Sequence, residues 1–411
     1  MDYQQENNVW VIGHKNPDTD SICAAICYAN LKNRLQDGFH YIPKRAGSIN
    51  EETKYVLQHF GVEPPEYAED AGAQVKDIAF RRTAGVSGHI SLKKAWELMK
   101  TENVMTLAVT SASDKLEGLI ITGDIAESYM DVYDNHILSR ARTQYKNIVE
   151  TLNGTLLAGN EHAYFLRGKV VVATGSRDVI EECIESDDLV IVGDRDETHI
   201  CALEENASCM VVTGGTQVSA QVLEMANRRD CVVIITPYDT FTAARLINQS
   251  MPIKYFMKKE NFVTFDIDDY VDEVREVMSK KRHRDFPVLD DQRRYLGMVS
   301  RRNLLNMHKK KLILVDHNEK SQAIDGIEGA EILEIIDHHR LGSLETMSPV
   351  FFRNQPLGCT STIVYQMYCE SGIEIEEKIA GLLLSAILSD TLMFRSPTCT
   401  KADHEAARAL A

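Results

Sequence analysis

Several features that are scarce or missing narrow the class of protein before any motif is considered. Positive charge is scarce: 45 Lys and Arg residues face 61 Asp and Glu residues, and the formal net charge is −16. Such a field disfavours general binding to nucleic-acid phosphates and anionic membranes, although bound cations can still admit a small anion. The longest apolar run, Ile379 to Phe394, is too short to cross a bilayer and contains Asp390. We therefore expect neither a nucleic-acid partner nor a membrane-spanning segment.

The sequence also lacks the marks of a secreted protein. Its start, MDYQQENN, is polar and has no leader-like basic and apolar segments. The nine cysteines are an odd number spread along the whole chain, which argues against a disulfide framework. Cys23 and Cys27 lie one helical turn apart in an apolar segment, where a buried pair is favoured over a metal or redox site. The prediction is a cytoplasmic protein with reduced thiols.

What remains is an ordinary globular composition, with 44% hydrophobic and 26% charged residues, so disorder is excluded as the main state. At about 150 residues per domain, 411 residues suggest two to four domains. The chain begins with a strand, a polar loop and an apolar helix, and ligands bind at that strand edge in open α/β sheets. Two prolines and several acids in Gly61–Asp70 then mark a boundary.

An internal repeat follows the boundary. Met99 aligns with Met278 and Gly118 with Gly297, each pair 179 residues apart, without a gap. The order helix, strand, turn, strand recurs in both copies, and the equal offsets at several apolar positions argue against chance similarity. Between the copies lie four β-branched strands, KVVVATG, DLVIVGD, CMVVTGG and CVVIITP, separated by helical stretches. This alternation predicts a parallel α/β domain.

The residues with the most chemistry are Asp and His side chains that each follow an apolar strand or helix. They are His14, Asp18, Asp20, Asp316, Asp337, His338, His339 and Asp390. Because the carboxyl ends of parallel strands lie side by side, separate segments can converge there. Mixed imidazole and carboxylate ligation suits Mn²⁺, Fe²⁺, Co²⁺ or Zn²⁺ better than Ca²⁺, and the set contains no thiolate.

Each piece of this set also has a simpler interpretation. Asp20 or Ser21 can cap the helix that follows, and Asp390 can be a polar residue at a helix end. The segment GCTST (Gly358–Thr362) opens a helix, so its N–H groups can bind phosphate or can simply be capped. Four such pieces in order, each behind an apolar element, favour a metal site.

Two motif groups between the halves resemble known modules. The repeated unit resembles the CBS domain, which works in pairs and often binds adenine nucleotides. The family pattern ends in Gly, two apolar residues, Thr or Ser, two further residues and Asp, and neither copy matches it fully. The first copy has Asp124, but its hydroxyl lies one position late, at Thr122. The second copy has Ser300 but carries Asn303 instead of Asp. GDR (Gly193–Arg195) and TGG (Thr213–Gly215) resemble the DRTGG domain, where the glycines serve as turns or as a phosphate cradle.

The outer segments resemble the DHH phosphoesterase superfamily, and closely the family II inorganic pyrophosphatases. The motifs are GHKNPDTDSICAA, LVDHNE, IIDHH, PLGCTSTI and SDTLMFRSPT. With the CBS–DRTGG–CBS insert, the chain is similar to the nucleotide-regulated subgroup. The resemblance implies a parallel-sheet α/β DHH domain interrupted by paired α+β CBS modules that flank an α/β DRTGG domain. The expected boundaries are 1–66 (DHH), 67–129 (CBS), 130–250 (DRTGG), 251–308 (CBS) and 309–411 (DHH).

The resemblance assigns roles to the Asp and His set. His14 and Asp18 would hold one metal ion, and Asp20, His338 and Asp390 the other, with Asp316 bridging. Asp337 would orient a ligand histidine from outside the ligand set, and His339 would face the substrate phosphate. The implied ions are two Mn²⁺ or Co²⁺, with Mg²⁺ brought by pyrophosphate. In the implied mechanism, a hydroxide shared by two metals attacks phosphorus in line.

The same resemblance implies adenine nucleotides (AMP, ADP, ATP or diadenosine polyphosphates) as regulators at the CBS pair, and a homodimer or higher homo-oligomer. The expected contacts are Thr122, Asp124, Arg282, His283, Arg284, Ser300 and Asn303. The charge of the basic run Lys280 to Arg284 in an acidic chain favours a phosphate site there, and a solvated helix end is the alternative. Family members carry a further C-terminal domain that grips pyrophosphate, and this sequence stops at HEAARALA without it, so we expect weak substrate binding by this chain alone. Two alternatives stay open: a DHH phosphodiesterase of oligo- or cyclic dinucleotides, and a nucleotide sensor without catalysis.

Overall fold

The computed structural model describes residues 7–130, 134–306 and 309–411, and the predicted boundary at residue 308 lies outside these ranges. The chain forms two compact units. The first comprises Met1–Ala79, Ile267–Arg282 and Arg301–Ala411, and the second comprises Phe80–Asp266 and His283–Ser300. No helix within the described residues combines the length and apolar character needed to cross a membrane.

Strands and helices alternate along most of the chain. The strands are β1 (Asn8–Ile12), β2 (His40–Arg45), β3 (Glu66–Tyr67), β4 (Thr106–Thr110), β5 (Leu116–Ile121), β6 (Thr143–Gln144), β7 (Thr155–Ala158), β8 (Tyr164–Phe165), β9 (Val170–Val172), β10 (Leu189–Val192), β11 (Cys209–Val212), β12 (Val232–Ile235), β13 (Phe265–Asp266), β14 (Asp285–Leu289), β15 (Tyr295–Ser300), β16 (Lys311–Val315), β17 (Glu331–Asp337) and β18 (Phe351–Asn354). The α-helices are α1 (Thr19–Leu35), α2 (Glu51–His59), α3 (Leu92–Thr101), α4 (Thr122–Met130), α5 (Ile137–Arg140), α6 (Tyr145–Thr151), α7 (Arg177–Cys183), α8 (Asp196–Glu204), α9 (Ala220–Arg228), α10 (Thr240–Leu246), α11 (Val271–Lys280), α12 (Thr360–Ser371), α13 (Glu377–Asp390) and α14 (Lys401–Leu410).

The first unit is built on a six-stranded parallel sheet in the order β18-β17-β16-β1-β2-β3. β1 pairs with β16 in register Val11↔Ile313, so the two outer segments of the chain share one sheet. The central strands are buried on both faces, as expected for parallel sheets covered by helices. One face packs against α1, α12 and α13 through a continuous apolar core. The prediction of an interrupted parallel-sheet domain is confirmed.

The second unit contains a five-stranded sheet in the order β7-β12-β11-β10-β9. The four predicted strands are the parallel members, and β7 adds an antiparallel edge that was not predicted. At the carboxyl end of β11, Gly214 and Gly215 have positive φ, and their N–H groups donate to the carbonyls of Tyr238 and Thr236. These contacts favour the turn interpretation of TGG over a phosphate cradle, because the amides already have partners.

The internal repeat is present at the level of secondary structure. The bounds of α3, β4 and β5 reappear in α11, β14 and β15 with the same offset of 179 residues. The hydroxyl of Thr106 donates to Oδ2 of its repeat equivalent, Asp285, at 2.9 Å. The hairpin turns also match, since Asp114 and Arg293 both have φ near +60°. The structure thus supports two copies of one small α+β module.

Candidate metal centre

The loop after β1 is held by the start of α1. Asp18 is the N-cap of α1, and its Oδ1 accepts the Ser21 N–H at 2.9 Å. The His14 N–H donates to the Ser21 hydroxyl at 3.1 Å, and a Cβ on Gly13 would lie 1.9 Å from that oxygen, so glycine is required there. One end of the Asp18 carboxylate is used for capping, while Oδ2 lies 3.7 Å from His14 Nε2.

Asp316 lies at the middle of the centre, immediately after β16. Its backbone has φ +63°, a left-handed conformation that is uncommon for residues other than glycine. Its carboxylate is 2% exposed, with Oδ2 3.4 Å from His14 Nε2 and Oδ1 3.5 Å from His338 Nε2. The two oxygens of one carboxylate therefore face two different imidazoles, which is the arrangement of a bridging ligand.

The residues after β17 are oriented by buried acceptors. Oδ1 of Asp337 accepts the His339 Nδ1–H at 2.8 Å and the backbone N–H groups of His338 and His339. The His338 ring is held differently, through Nδ1 and the Leu357 carbonyl at 3.0 Å. Because Nδ1–H donates to that carbonyl, Nε2 of His338 is the nitrogen that faces the cluster, and it can bind a metal once its proton is released. Asp337 thus orients the histidine expected to face substrate, and a carbonyl orients the expected metal ligand.

Asp20 does not cap its own helix but the N-terminus of α12. Its Oδ2 accepts the Thr360 N–H at 2.6 Å, and Oδ1 accepts the N–H and hydroxyl of Ser361 at 2.9 and 2.6 Å. The first turn of α12 therefore donates to a carboxylate of the centre, and this favours capping over phosphate binding for that turn. A carboxylate has about four acceptor positions, so one remains for a cation.

Asp390, the last residue of α13, completes the cluster. Its Oδ2 lies 3.4 Å from Nε2 of His338, and both atoms are buried without a hydrogen-bond partner among the described residues. The Cys359 thiol, with Asp20 and Asp390, offers ligand atoms within 4.8 Å of one another. The same holds for His14, Asp18 and Asp316, and for Asp316, His338 and His339. Orphaned buried polar atoms are costly, and a bound cation would satisfy both.

The pKa values of the clustered side chains indicate that the site favours added positive charge. Burial, with the charges of Asp316 and Asp390, raises the pKa of Asp20 to about 8. Burial also raises the pKa of Asp390 to about 6. Burial opposes the protonation of His14 and His338, but the neighbouring aspartates outweigh it and raise both pKa values to about 10. Protons thus balance the clustered carboxylates, and a divalent ion would replace them. The donor set fits Mn²⁺ or Co²⁺.

The structure brings all eight predicted Asp and His residues together at one sheet edge. Sequence reasoning missed the Cys359 thiol, whose pKa burial raises well above its ordinary value. It also missed His317, which is fully buried, contacts the Val315 carbonyl through Nδ1 and has an unpartnered Nε2 among the described residues. Cys359 lies in the motif GCTST and His317 in LVDHNE, so both signals were present in the sequence.

The predicted nucleotide contacts divide between the units. Thr122, Asp124, His283, Arg284 and Ser300 belong to the second unit, and Arg282 and Asn303 to the first. His283 lines a cavity of about 720 Å³, together with Tyr255 and the segment 257–261.

Lysines 258 and 259 in this lining were not predicted, although the pair is visible in the sequence. Oδ1 of Asp124 lies 3.4 Å from Lys258 Nζ, and Oδ2 accepts the Ile121 N–H. The Asp124 carboxylate is therefore already engaged within the protein.

Comparison with known proteins extends these observations. Residues 147–250 match the DRTGG domain model, and residues 253–309 match the CBS domain model. The chain is 43% identical over 403 residues to the cobalt-dependent inorganic pyrophosphatase of Clostridium perfringens, covering 98% of this chain and 73% of that protein. It is 40% identical over 403 residues to the probable manganese-dependent inorganic pyrophosphatase of Thermotoga maritima, with the same coverage.

A solved structure matches the insert. It contains the CBS and DRTGG domains of the regulatory region of C. perfringens pyrophosphatase, complexed with its activator, diadenosine tetraphosphate. The match has a TM-score of 0.54 and 36% identity, and covers 56% of this chain and all of that chain. The predicted combination of CBS and DRTGG modules within a DHH-type fold is confirmed.

Proposed function

Because the chain belongs to the family II inorganic pyrophosphatases, we propose that it hydrolyses pyrophosphate to two phosphates with two Mn²⁺ or Co²⁺ ions. The observation that carries this proposal is the convergence of His14, Asp316, His338 and Asp390 within 3.5 Å contacts at one sheet edge. The two relatives that match over 403 residues are both named as inorganic pyrophosphatases. These names support pyrophosphate hydrolysis over hydrolysis of an oligonucleotide and over a nucleotide sensor without catalysis.

We assign each side chain to one of two ions according to which part of the cluster its nitrogen or oxygen atoms face. His14, Asp18 and Oδ2 of Asp316 would hold one ion, and Oδ1 of Asp316 with Asp20, His338 and Asp390 would hold the other. Two divalent ions, when bound, supply Lewis-acid activation of a water nucleophile and neutralise charge on the phosphoryl oxygens. Mg²⁺ is expected to accompany the substrate.

His339 contributes to substrate binding rather than to the ions in this proposal. Its ring is half-exposed, and its Nδ1–H donates to Asp337. The contact with Asp337 raises the pKa of His339, which outweighs the effect of burial. A protonated His339 would donate from Nε2 to a phosphate oxygen and leave Nδ1 held in place.

Phosphate release from pyrophosphate tests the activity. The chain is freed of metal with a chelator, and Mn²⁺ or Co²⁺ is then added together with Mg²⁺. A dinucleotide phosphodiester is offered in parallel. We expect phosphate release from pyrophosphate and none from the dinucleotide, with pyrophosphate offered at high concentration because weak substrate binding is expected of this chain. The chelator should abolish the release. Hydrolysis of the dinucleotide without pyrophosphate hydrolysis would contradict the proposal, and hydrolysis of neither by a chain that binds no metal would favour the sensor.

We further propose that adenine nucleotides bind the insert and regulate hydrolysis. Support comes from the likeness to a regulatory region complexed with diadenosine tetraphosphate and from the basic residues that line the cavity of the second unit. The predicted domain boundaries are part of this proposal. A cytoplasmic location, supported by nine free thiols, and a homodimer or higher oligomer are also proposed. Sedimentation of the purified chain with and without nucleotide would test the oligomer.

A further inference from the structure

Asp403, on the first turn of α14, is a fully buried carboxylate outside the ligand set. It accepts four hydrogen bonds. Two come from the N–H and hydroxyl of Thr400, both at 2.7 Å, and the bond from the N–H belongs to the capping box of α14. The other two come from the N-terminal end of α12: the Gly358 N–H, just before the helix, at 2.9 Å, and the Thr362 hydroxyl, in its first turn, at 2.6 Å. Of these four bonds, the capping box uses only the one from the Thr400 N–H, so the contacts to the N-terminus of α12 need a separate explanation.

The residues between Gly358 and Thr362 are the ones that hold the metal centre. Thr360 and Ser361 donate three hydrogen bonds to Asp20, and the Thr360 hydroxyl donates to Oδ1 of Asp316 at 3.0 Å. Asp403 therefore fixes both ends of a turn whose middle grips two proposed ligands. The turn is fully buried, so water cannot replace a lost partner.

The same turn also touches the segment that carries Asp390. A Cβ on Gly358 would lie 2.8 Å from both Oδ2 of Asp403 and Cγ2 of Thr391, the residue after Asp390. Gly358 is therefore packed between the two. Asp20 and Asp390 come from opposite ends of the chain, and this contact relates their positions.

We propose that Asp403 is a positioning residue for the ion held by Asp20 and Asp390. It acts through the Gly358–Thr362 turn and touches no ligand. The inference rests on the proposed function, since it assumes that Asp20 and Asp390 bind an ion. Residues outside the ligand set that orient metal ligands typically change metal affinity by about 10- to 100-fold when altered.

Two matched substitutions separate positioning from helix capping. Thr362→Val and Thr400→Val each remove one hydroxyl donor to Asp403 and keep the side-chain shape. The first breaks one of the two bonds between Asp403 and the N-terminal end of α12, whereas the second breaks a bond between Asp403 and the N-cap of its own helix. Co²⁺ binding to the metal-free chain is followed by equilibrium dialysis and by the visible absorption of Co²⁺, and thermal unfolding is measured alongside.

Thr362→Val is expected to weaken one of two Co²⁺ sites by roughly tenfold or more and to change its absorption band. Thr400→Val should leave both Co²⁺ affinities within about twofold of the wild-type values, even if its melting temperature falls as much as that of Thr362→Val. Thr362→Ser should restore the weakened site. Unchanged Co²⁺ binding in Thr362→Val, or equal losses in both valine variants, would overturn the proposal. If Thr362→Val does not fold, Thr362→Cys, with its weaker donor, takes its place. A wild-type chain that binds no Co²⁺ would instead contradict the proposed function.

Discussion

His338 and Asp390 face each other through Nε2 and Oδ2, 3.4 Å apart, and neither atom has a hydrogen-bond partner in the part of the chain that the structure describes. Both atoms are buried. The other nitrogen of His338 is fixed by the Leu357 carbonyl, so the ring cannot turn to satisfy Nε2 elsewhere. A ring nitrogen and a carboxylate oxygen held this close, both buried and without a hydrogen-bond partner among the described residues, are the strongest structural argument for a cation at this position.

Replacing Asp316 should disable both ion sites, because its two oxygens face the two halves of the cluster. We expect Asp316→Asn to lose at least one of two Co²⁺ ions and to lower hydrolysis by more than about 100-fold, the upper range for residues outside the ligand set. Metal content is measured by elemental analysis after dialysis, and turnover by phosphate release. Asp272→Asn, an exposed acid in the same unit, is the matched control. Two retained ions with near-normal turnover would show that Asp316 does not bridge.

The backbone at Asp316 predicts a separate effect on stability. Its φ of +63° is better tolerated by Asp and Asn than by Ala. Asp316→Asn and Asp316→Ala remove the same charge, so the difference between them contains the backbone conformation and the Oδ1 acceptor of the Thr360 hydroxyl, which only Ala loses. In the metal-free state, we expect Asp316→Ala to unfold with a free energy about 1 kcal/mol lower than that of Asp316→Asn. Equal unfolding midpoints in urea would contradict a strained conformation at this residue.

Metal affinity should rise with pH. In the metal-free chain, the pKa values of His14 and His338 are raised to about 10 and that of Asp20 to about 8, so these groups hold protons at pH 7. Metal binds the deprotonated forms and releases those protons. Each proton released strengthens apparent affinity about tenfold per pH unit. Co²⁺ titrations at pH 6, 7 and 8 should therefore show a steep increase.

Calorimetry provides the check on this pH dependence. Binding heats measured at pH 7 in two buffers with different ionisation enthalpies should differ, because the buffer takes up the released protons. Equal heats and a flat affinity between pH 6 and 8 would mean that the ligands are already deprotonated in the free chain.

The sequence predicted the sheet edge but not how its ligands are held. Asp316 and Asp337 follow apolar strands, and parallel strands place their carboxyl ends together, so local patterns sufficed for convergence. The contact of Asp20 with Thr360 joins residues 340 positions apart, and no local pattern encodes it. Asp337 accepts a hydrogen bond from the ring of His339 and not from that of His338. Which of the two adjacent rings it holds depends on side-chain rotamers, and sequence spacing does not determine these.

The insert shows the same division between local and long-range information. The offset of 179 residues predicted the repeated helix and hairpin because each copy carries its own apolar pattern. The antiparallel edge strand β7 escaped prediction because its sequence, TLLA, contains no Val or Ile and alternates only weakly between exposed and buried positions. It pairs with β12 more than 70 residues later, and that pairing, rather than local propensity, makes it a strand.

Replacing Asp337 should affect His339 without removing the ions. Asp337→Asn keeps the shape of the side chain but removes the negative charge that raises the His339 pKa. We expect the His339 titration, followed by NMR of the metal-free chain, to shift toward 6.5, the ordinary value. Hydrolysis should fall roughly tenfold or more, with two Co²⁺ ions still bound. Loss of an ion would instead place Asp337 in the ligand set.

Nucleotide binding should depend on the basic run before β14. Arg282 and Arg284 are exposed in a chain of net charge −16, and the segment they belong to includes His283 of the cavity lining. A charge-assisted bond to phosphate contributes about 1.5–3 kcal/mol, so each Arg→Ala change should weaken binding by roughly tenfold or more. Calorimetric titration with AMP and with diadenosine tetraphosphate measures the effect.

Arg275→Ala, which alters an exposed arginine on α11 paired with Asp272, is the control and should leave affinity unchanged. The losses should shrink as salt is added, because screening weakens exposed charges. Unchanged affinity in both variants would move the phosphate contact to Lys258 and Lys259, and Lys259→Ala would then carry the loss.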